Sequence, residues 1–480
     1  MAGYQAPILD MQFLLSHLIN TQELWPQLGL HDADCDTAKA ILDEAAKLCE
    51  QVIAPLNREA DEQGCQLVDG KVTVPAGFNA AYKAYCEGGW GALGGEPAYE
   101  GMGMPKSLVA CVEEMLQGAN MAFGLAPMLT AGACLAISAH GSDALKQLYL
   151  PKMYSGEWAG AMDLTEPHAG TDLGLMRTKA VPNKTCDPLA ENPDLKAIES
   201  FSITGTKMFI TWGEHDMASN IVHLVLAKLP NAPAGAKGIS LFLVPKYIPN
   251  NDGTLGVRNH LSCGALEKKM GIKASATCVM NFDGAKGWLV GEPHKGLAAM
   301  FTMMNYERLT VGIQAVAAAE ASYQNARNYA KDRLQSRSPS GVVQPQSEAD
   351  PIIVHPDVRR MLLTQKTIAE GGRAFVAYLA QLVDIGHAET DEAIKQDAET
   401  KLSLLTPIAK AFLSELGFEA TSHGVQIFGG HGFIKEWGME QLMRDTKITC
   451  IYEGTTGIQA LDLLGRKVLG TQGAILKPFA

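Results

Sequence analysis

Twice along this chain the spacing of the apolar residues changes, and those two changes constrain the fold more than any other feature. Up to about Ser155 the apolar positions recur at three- and four-residue intervals, as in residues 36–57 and 105–118, which is the period of an amphipathic helix. Pairs such as Gly88-Gly89 and Gly94-Gly95-Glu96-Pro97 punctuate this part. Between about Glu157 and Gly291 the period drops to two. Residues 201–211 alternate, and residues 221–227, 239–244 and 277–282 are short β-branched runs with turn residues between them. The short connections predict mostly antiparallel pairing, and the polar stretch 182–193 reads as an inserted loop. From about Gly296 the helical period returns in long segments, residues 297–337, 357–385 and 391–417, with a Pro/Ser/Gln-rich excursion over 336–351. These changes predict a multidomain α+β chain: an N-terminal helical domain over residues 1–156, a small β domain over 157–291 and a helical bundle over 292–480. A length of 480 residues suits three domains of roughly 150 residues each.

Charge and composition exclude several classes. Hydrophobic residues make up 47% and charged residues 19%, the balance of a chain with a large core and no long disorder. Forty Lys and Arg against 52 Asp and Glu give a net charge of −12. Such a chain repels a phosphate backbone, so no nucleic-acid partner is expected, and an anionic ligand needs a local positive site. The ten cysteines, Cys186 among them, are scattered with no CxxC pair; a zinc site or dithiol motif is not expected, and the thiols suit a reducing compartment. Residues 118–142 carry no Asp, Glu, Lys or Arg, yet Asn120, Pro127, Thr130, His140 and four glycines interrupt them. They predict buried helices broken by a turn, not an integral membrane span. The first basic residue is Lys39, so neither a secretory signal nor a transit peptide is expected at the start, and a cytoplasmic location follows. No GxGxxG after a strand, GxxxxGK[ST], HExxH or GxSxG occurs.

Four segments can carry chemistry. Asp163-Leu-Thr-Glu-Pro-His-Ala-Gly-Thr-Asp172 is a loop whose hydroxyls and N–H groups suit a planar hydrogen-bonding ligand or a phosphate; taken alone, an ordinary turn is the commoner reading. Lys207-Met-Phe-Ile-Thr-Trp-Gly213 ends a strand in aromatic and hydroxyl groups able to flank a ring, or is a half-buried strand. Gln426-Ile-Phe-Gly-Gly-His-Gly432 allows close backbone approach, or caps a helix. In Ile451-Tyr-Glu-Gly-Thr455 a carboxylate, Glu453, sits beside apolar and aromatic flanks before a helix start near Thr455 or Thr456. Dry surroundings would raise its basicity enough for carbon-acid proton abstraction; alternatively it only complements the positive helix end.

With Lys269-Met-Gly-Ile272 and Met443-Arg-Asp-Thr-Lys-Ile448, these segments stand in the order found in the acyl-CoA dehydrogenase flavoproteins, which the chain resembles over nearly its whole length. The opening and Cys278-Val-Met-Asn-Phe-Asp-Gly-Ala285 resemble the subgroup of 3-methylmercaptopropionyl-CoA and long-chain-type dehydrogenases, whose longer members carry a further C-terminal region. The resemblance implies an N-terminal helical domain, a central β-barrel-like domain and a C-terminal four-helix bundle, with FAD between the last two. It implies that Met162, Leu164, Thr165, Thr171, Phe209, Thr211 and Thr455 line the flavin, and that Arg333, Gln426, Gly429 and Gly430 reach the FAD of a neighbouring subunit in a homodimer or homotetramer. Thr171, Arg308, Tyr452 and Gly454 fall on the substrate side. Glu453 matches the base that removes the pro-R α-hydrogen of an acyl-CoA thioester while the β-hydrogen leaves as hydride to flavin N5, giving a trans-2-enoyl-CoA. The electrons would go to an electron-transfer flavoprotein.

Phe209 stands where the family often has Trp, Asn305 where it has Asp, and Gly457 where it has Gln. Glu307 falls where some members carry the base, so two candidate bases are present; the intact Ile-Tyr-Glu-Gly-Thr setting favours Glu453. The bland reading of Glu307 is an ion pair with a nearby Arg. An oxidase that returns electrons to oxygen has the same motifs, and a DNA-binding, non-dehydrogenating flavoprotein would need a basic stripe that this chain lacks.

Overall fold

The computed structural model describes residues 3–183, 199–250 and 252–479. Most of the expected inserted loop, residues 184–193, and Cys186 lie outside them. The charge-free stretch begins with a break. Asn120, at φ −162°, separates the helices Lys106–Ala119 and Met121–His140, and its side chain accepts from the Phe123 N–H at 3.1 Å. Pro127 stays inside the second helix. That helix is long and apolar enough to cross a membrane, but most of it is buried inside the protein. It packs against the Lys106–Ala119 and Gly296–Asp332 helices and the Trp158–Asp163 strand. At the strand, Thr130 accepts from the Gly160 N–H at 3.0 Å. A Cβ at Gly160 would come within 2.7 Å of Ala133 Cβ, so only glycine lets strand and helix approach so closely. Each large apolar side chain buried here contributes about 1.5–3 kcal/mol.

The β domain closes on itself. Thr277–Val290 pairs with Ser200–Thr211, which pairs with Lys179–Pro182. That strand touches Asn220–Lys228, which pairs with Ile239–Pro245, and Ile239–Pro245 returns to Thr277–Val290. Trp158–Asp163 and Leu261–Leu266 extend the sheet to seven strands. Pairing is antiparallel except where Trp158–Asp163 and Lys179–Pro182 meet Asn220–Lys228. The N-terminal part also holds a hairpin, Gln66–Val68 with Lys71–Thr73, turned by Asp69 and Gly70 at positive φ.

The C-terminal four-helix bundle comprises the long helices Gly296–Asp332, Pro356–Ala388 and Glu392–Phe428 with the short helix Met439–Thr446. Leu309, Ile313, Val316, Leu379 and Leu413 fill its centre. Arg373 fastens the bundle to the N-terminal helices: its Nε donates to both Glu114 oxygens at 2.9 and 3.0 Å, and its Nη2 reaches Glu320 at 3.0 Å. All three side chains are buried. Removing one partner of a buried ion pair leaves the others uncompensated. Arg373→Met is therefore expected to cost about 3–5 kcal/mol in denaturant unfolding, whereas Leu363→Ala, on the exposed surface, should cost under about 0.5 kcal/mol. Equal effects of the two changes would contradict this role for Arg373.

Candidate active site

Residues 163–172 leave the Trp158–Asp163 strand as a loop, and a buried ion pair sets its shape. Lys207 is fully buried; its Nζ stands 2.9 Å from Glu166 Oε1 and donates to the Leu164 carbonyl at 3.0 Å. Glu166 also accepts from the Arg177 N–H at 2.6 Å, the Thr178 N–H at 3.0 Å and the Thr178 hydroxyl. These contacts, with the charge of Lys207, hold the Glu166 carboxyl below the usual range against the effect of burial. The signal for Lys207 was in the alternation: Phe201, Ile203 and Lys207 share the inward face of one strand. Phe209 should share it too, but the ladder slips there. Ile210 pairs with Cys278 and Lys207 with Met280, so Met208 and Phe209 oppose a single residue. At this bulge Phe209 adopts φ +60° and is 57% exposed, while Ile210 is buried. The Met208 N–H donates to the Thr165 carbonyl at 2.9 Å, which places the bulge against the loop. Leu164 is buried, Met162, Thr165 and Thr211 are half-buried, and Thr171 is exposed. An outward aromatic ring beside hydroxyls and a fixed main chain is a surface that fits a flavin.

The second cluster surrounds Glu453. After the 3₁₀ turn Lys447–Cys450, Glu453 and Gly454 both take positive φ, +54° and +93°, and Thr455 caps the helix Thr456–Leu461 through the Ile458 N–H at 3.4 Å. The tight turn points two carbonyls inward. Gln459 Nε2 donates to Glu453 O at 2.9 Å and to Gly454 O at 3.1 Å; Lys410 Nζ donates to Gly454 O at 2.7 Å. The Tyr452 hydroxyl donates to Gln314. Burial pushes the Glu453 carboxyl up to about 7, with the cations of Arg308 and Lys410 opposing the rise. Arg308 is itself held by Asp462 at 3.0 Å.

Glu307 lies in the same cluster and is not ion-paired. It is fully buried, neither carboxyl oxygen has a hydrogen-bond partner among the described residues, and a Cβ at Gly132 would stand 2.5 Å from its Oε1. Burial and then the facing charge of Glu453 push it well above the carboxylate range. That environment stabilises the neutral acid, whereas Glu453 keeps two cations nearby. The structure thus gathers Glu307, Arg308, Tyr452, Glu453 and Gly454, and adds Lys410 and Gln459, which sequence reasoning missed.

Arg333, Gln426, Gly429 and Gly430 fall elsewhere, at the exposed end of the bundle. Gly429 stops the Glu392–Phe428 helix at φ +59°, and Tyr329, one turn before Arg333, stacks on Phe428 at 4.0 Å between ring centroids. Thr455, Asn305 and Gly457 are exposed. The motifs at 269–272 and 443–448 are each other's partners: Arg444 donates to Met270 O at 2.9 Å and the Ile272 N–H donates to Asp445. This ties the β domain to the segment that leads into Glu453. Among the described residues no group of three or more His, Cys, Asp or Glu is placed to hold a metal ion. Lys207→Met is expected to lower stability by about 3–5 kcal/mol and to speed tryptic cleavage at the exposed Arg177. Unchanged cleavage would argue that the ion pair does not order the loop.

Comparison with known proteins agrees with this geometry. Family models for the acyl-CoA dehydrogenase N-terminal, middle and C-terminal domains match residues 36–157, 161–285 and 294–469. The 3-methylmercaptopropionyl-CoA dehydrogenase of Ruegeria pomeroyi is 45% identical over 99% of this chain and 78% of its own length. A butyryl-CoA dehydrogenase of Syntrophomonas wolfei is 40% identical over 98% of this chain and 75% of its own. The solved butyryl-CoA dehydrogenase of Megasphaera elsdenii superposes with a TM-score of 0.71 at 25% identity, covering 90% of this chain and 97% of that one. Three domain models in order, on the three domains of the fold, show that the chain belongs to the acyl-CoA dehydrogenase family of FAD-dependent oxidoreductases.

Proposed function

We propose that the chain oxidises a saturated acyl-CoA thioester to its trans-2-enoyl-CoA, with Glu453 as the base that takes the α-proton. The observation that carries this reading is the setting of Glu453: a carboxylate on a positive-φ turn whose two carbonyls are tethered by Lys410 and Gln459, with Arg308 also facing it. A base must be ionised yet strong, and burial raising the carboxyl to about 7 suits both needs near neutral pH. Glu307, dry and unpaired, stays neutral and takes no proton. As the α-proton leaves, charge grows on the thioester oxygen, and the main-chain N–H of Glu453 is the protein's donor to it. Arg308, Tyr452, Gly454 and Thr171 border the acyl thioester.

FAD, when bound, would supply the acceptor for the β-hydride, and an electron-transfer flavoprotein is the proposed acceptor of the electrons. Met162, Leu164, Thr165, Thr171, Phe209, Thr211 and Thr455 line it. Arg333, Gln426, Gly429 and Gly430, exposed at the far end of the bundle, reach the FAD of a second subunit, so the working form is a homodimer or homotetramer. The nine described cysteines are free thiols, in keeping with a reducing, cytoplasmic setting.

Glu453→Gln holoprotein should stay yellow yet bleach about 10²–10⁴-fold more slowly with butyryl-CoA under anaerobic conditions, while Glu307→Gln bleaches at a near-normal rate. The reverse pattern would move the base to Glu307. Because folding raises the Glu453 value, the protonated, inactive form dominates below about pH 7 and the ionised form above it. The wild-type rate constant for bleaching should therefore rise with pH through about 7; a midpoint near 4 would contradict a desolvated base.

A further inference from the structure

Lys410 sits in the interior of the Glu392–Phe428 helix and is fully buried. A buried ammonium is costly unless something holds it. What Lys410 meets is a main-chain oxygen, Gly454 O at 2.7 Å, 44 residues further along the chain. That oxygen and its neighbour, Glu453 O, belong to the left-handed pair Glu453–Gly454, and Gln459 is their other donor. Buried carbonyls need donors, and positive φ at a glutamate costs energy that its surroundings must cover. Two side chains from two helices therefore hold one strained turn from beneath.

We propose that Lys410 is the positioning residue of the base: it anchors the Gly454 carbonyl so that the Glu453 carboxyl and its N–H keep one orientation. The proposal rests on Glu453 being the base. The groups facing Glu453 are Arg308 and Lys410, with Glu307 opposite it; those facing Lys410 are Glu453, Cys450, Arg308 and Glu415. Arg308 is already engaged by Asp462. Lys410 alone in this set both touches the turn and faces the carboxyl. Burial brings Lys410 down to about 8, so the cation is present where the base begins to work.

The test uses FAD-loaded wild type, Lys410→Met, Lys410→Gln and Lys410→Arg, with Glu453→Gln as reference. Anaerobic bleaching by butyryl-CoA is followed across pH, and amide hydrogen exchange is followed across residues 448–460. Both neutral variants should keep wild-type FAD content and bleach about 10–100-fold more slowly at pH 7. Their midpoint should rise by about one unit or more, with faster exchange confined to that segment. Lys410→Arg, which keeps the charge, should hold its midpoint near wild type. The Gln variant carries the same expectation should the Met variant not fold. A wild-type midpoint or unchanged exchange in the neutral variants overturns the positioning role. Normal bleaching by Glu453→Gln would instead overturn the base assignment on which it rests.

Discussion

A half-buried carboxyl that faces two cations is the constraint from which the rest of this structure follows. Desolvation alone would leave Glu453 neutral and inert; full pairing would leave it a weak base. The intermediate state needs charge nearby without a direct bridge, and the fold supplies it from separate elements: Arg308 on the Gly296–Asp332 helix and Lys410 on Glu392–Phe428. Glu307 shows the alternative. One residue from Arg308, it has no hydrogen-bond partner on either oxygen among the described residues, and its neighbourhood favours the acid. Two carboxyls in one cluster are both raised by burial, and what stands beside each sets them apart: cations oppose the rise at Glu453, and the facing charge of Glu453 adds to it at Glu307.

The β domain meets this centre with a different device. A bulge reverses the parity of one strand and turns Phe209 outward, while the strand's inward face carries Lys207, whose pair with Glu166 fixes the facing loop. One strand thus presents an exposed ring and anchors the main chain beside it. The domain is linked to the base segment through Arg444 and Asp445, which bond to Met270 and Ile272. For the proposed reaction rigid attachment matters, because proton and hydride would leave adjacent carbons and misplacement by about 1 Å can cost about a hundredfold in rate.

Periodicity made the three-part architecture legible, and the motifs pointed to Glu453, Arg308 and the 163–172 loop. What escaped shares a physical cause: position along the chain is a poor guide to partners far away. Lys410 reads as one of several charged positions along a helix, and only the turn 44 residues later gives it a role. The strands Trp158–Asp163 and Lys179–Pro182 are short and run parallel to a neighbour, so no hairpin announces them. Residues 283–287, Asp-Gly-Ala-Lys-Gly, look like a turn, yet Gly284 at φ +74° forms a bulge and the strand runs on to Val290. The first long helix stops at Asp332, short of the expected 337, because Arg333 turns extended and Leu334 bridges to Pro351. The third runs past 417 to Phe428, where Gly429 ends it.

The ionisation of Glu453 can be read directly, without turnover. Infrared difference titration of the FAD-loaded protein, wild type minus Glu453→Gln, isolates the stretching bands of that one carboxyl. The account predicts conversion from acid to carboxylate with a midpoint near 7. A carboxylate band already complete at pH 5 would mean that water or a close ion pair reaches the group, and the account of a desolvated base would be wrong.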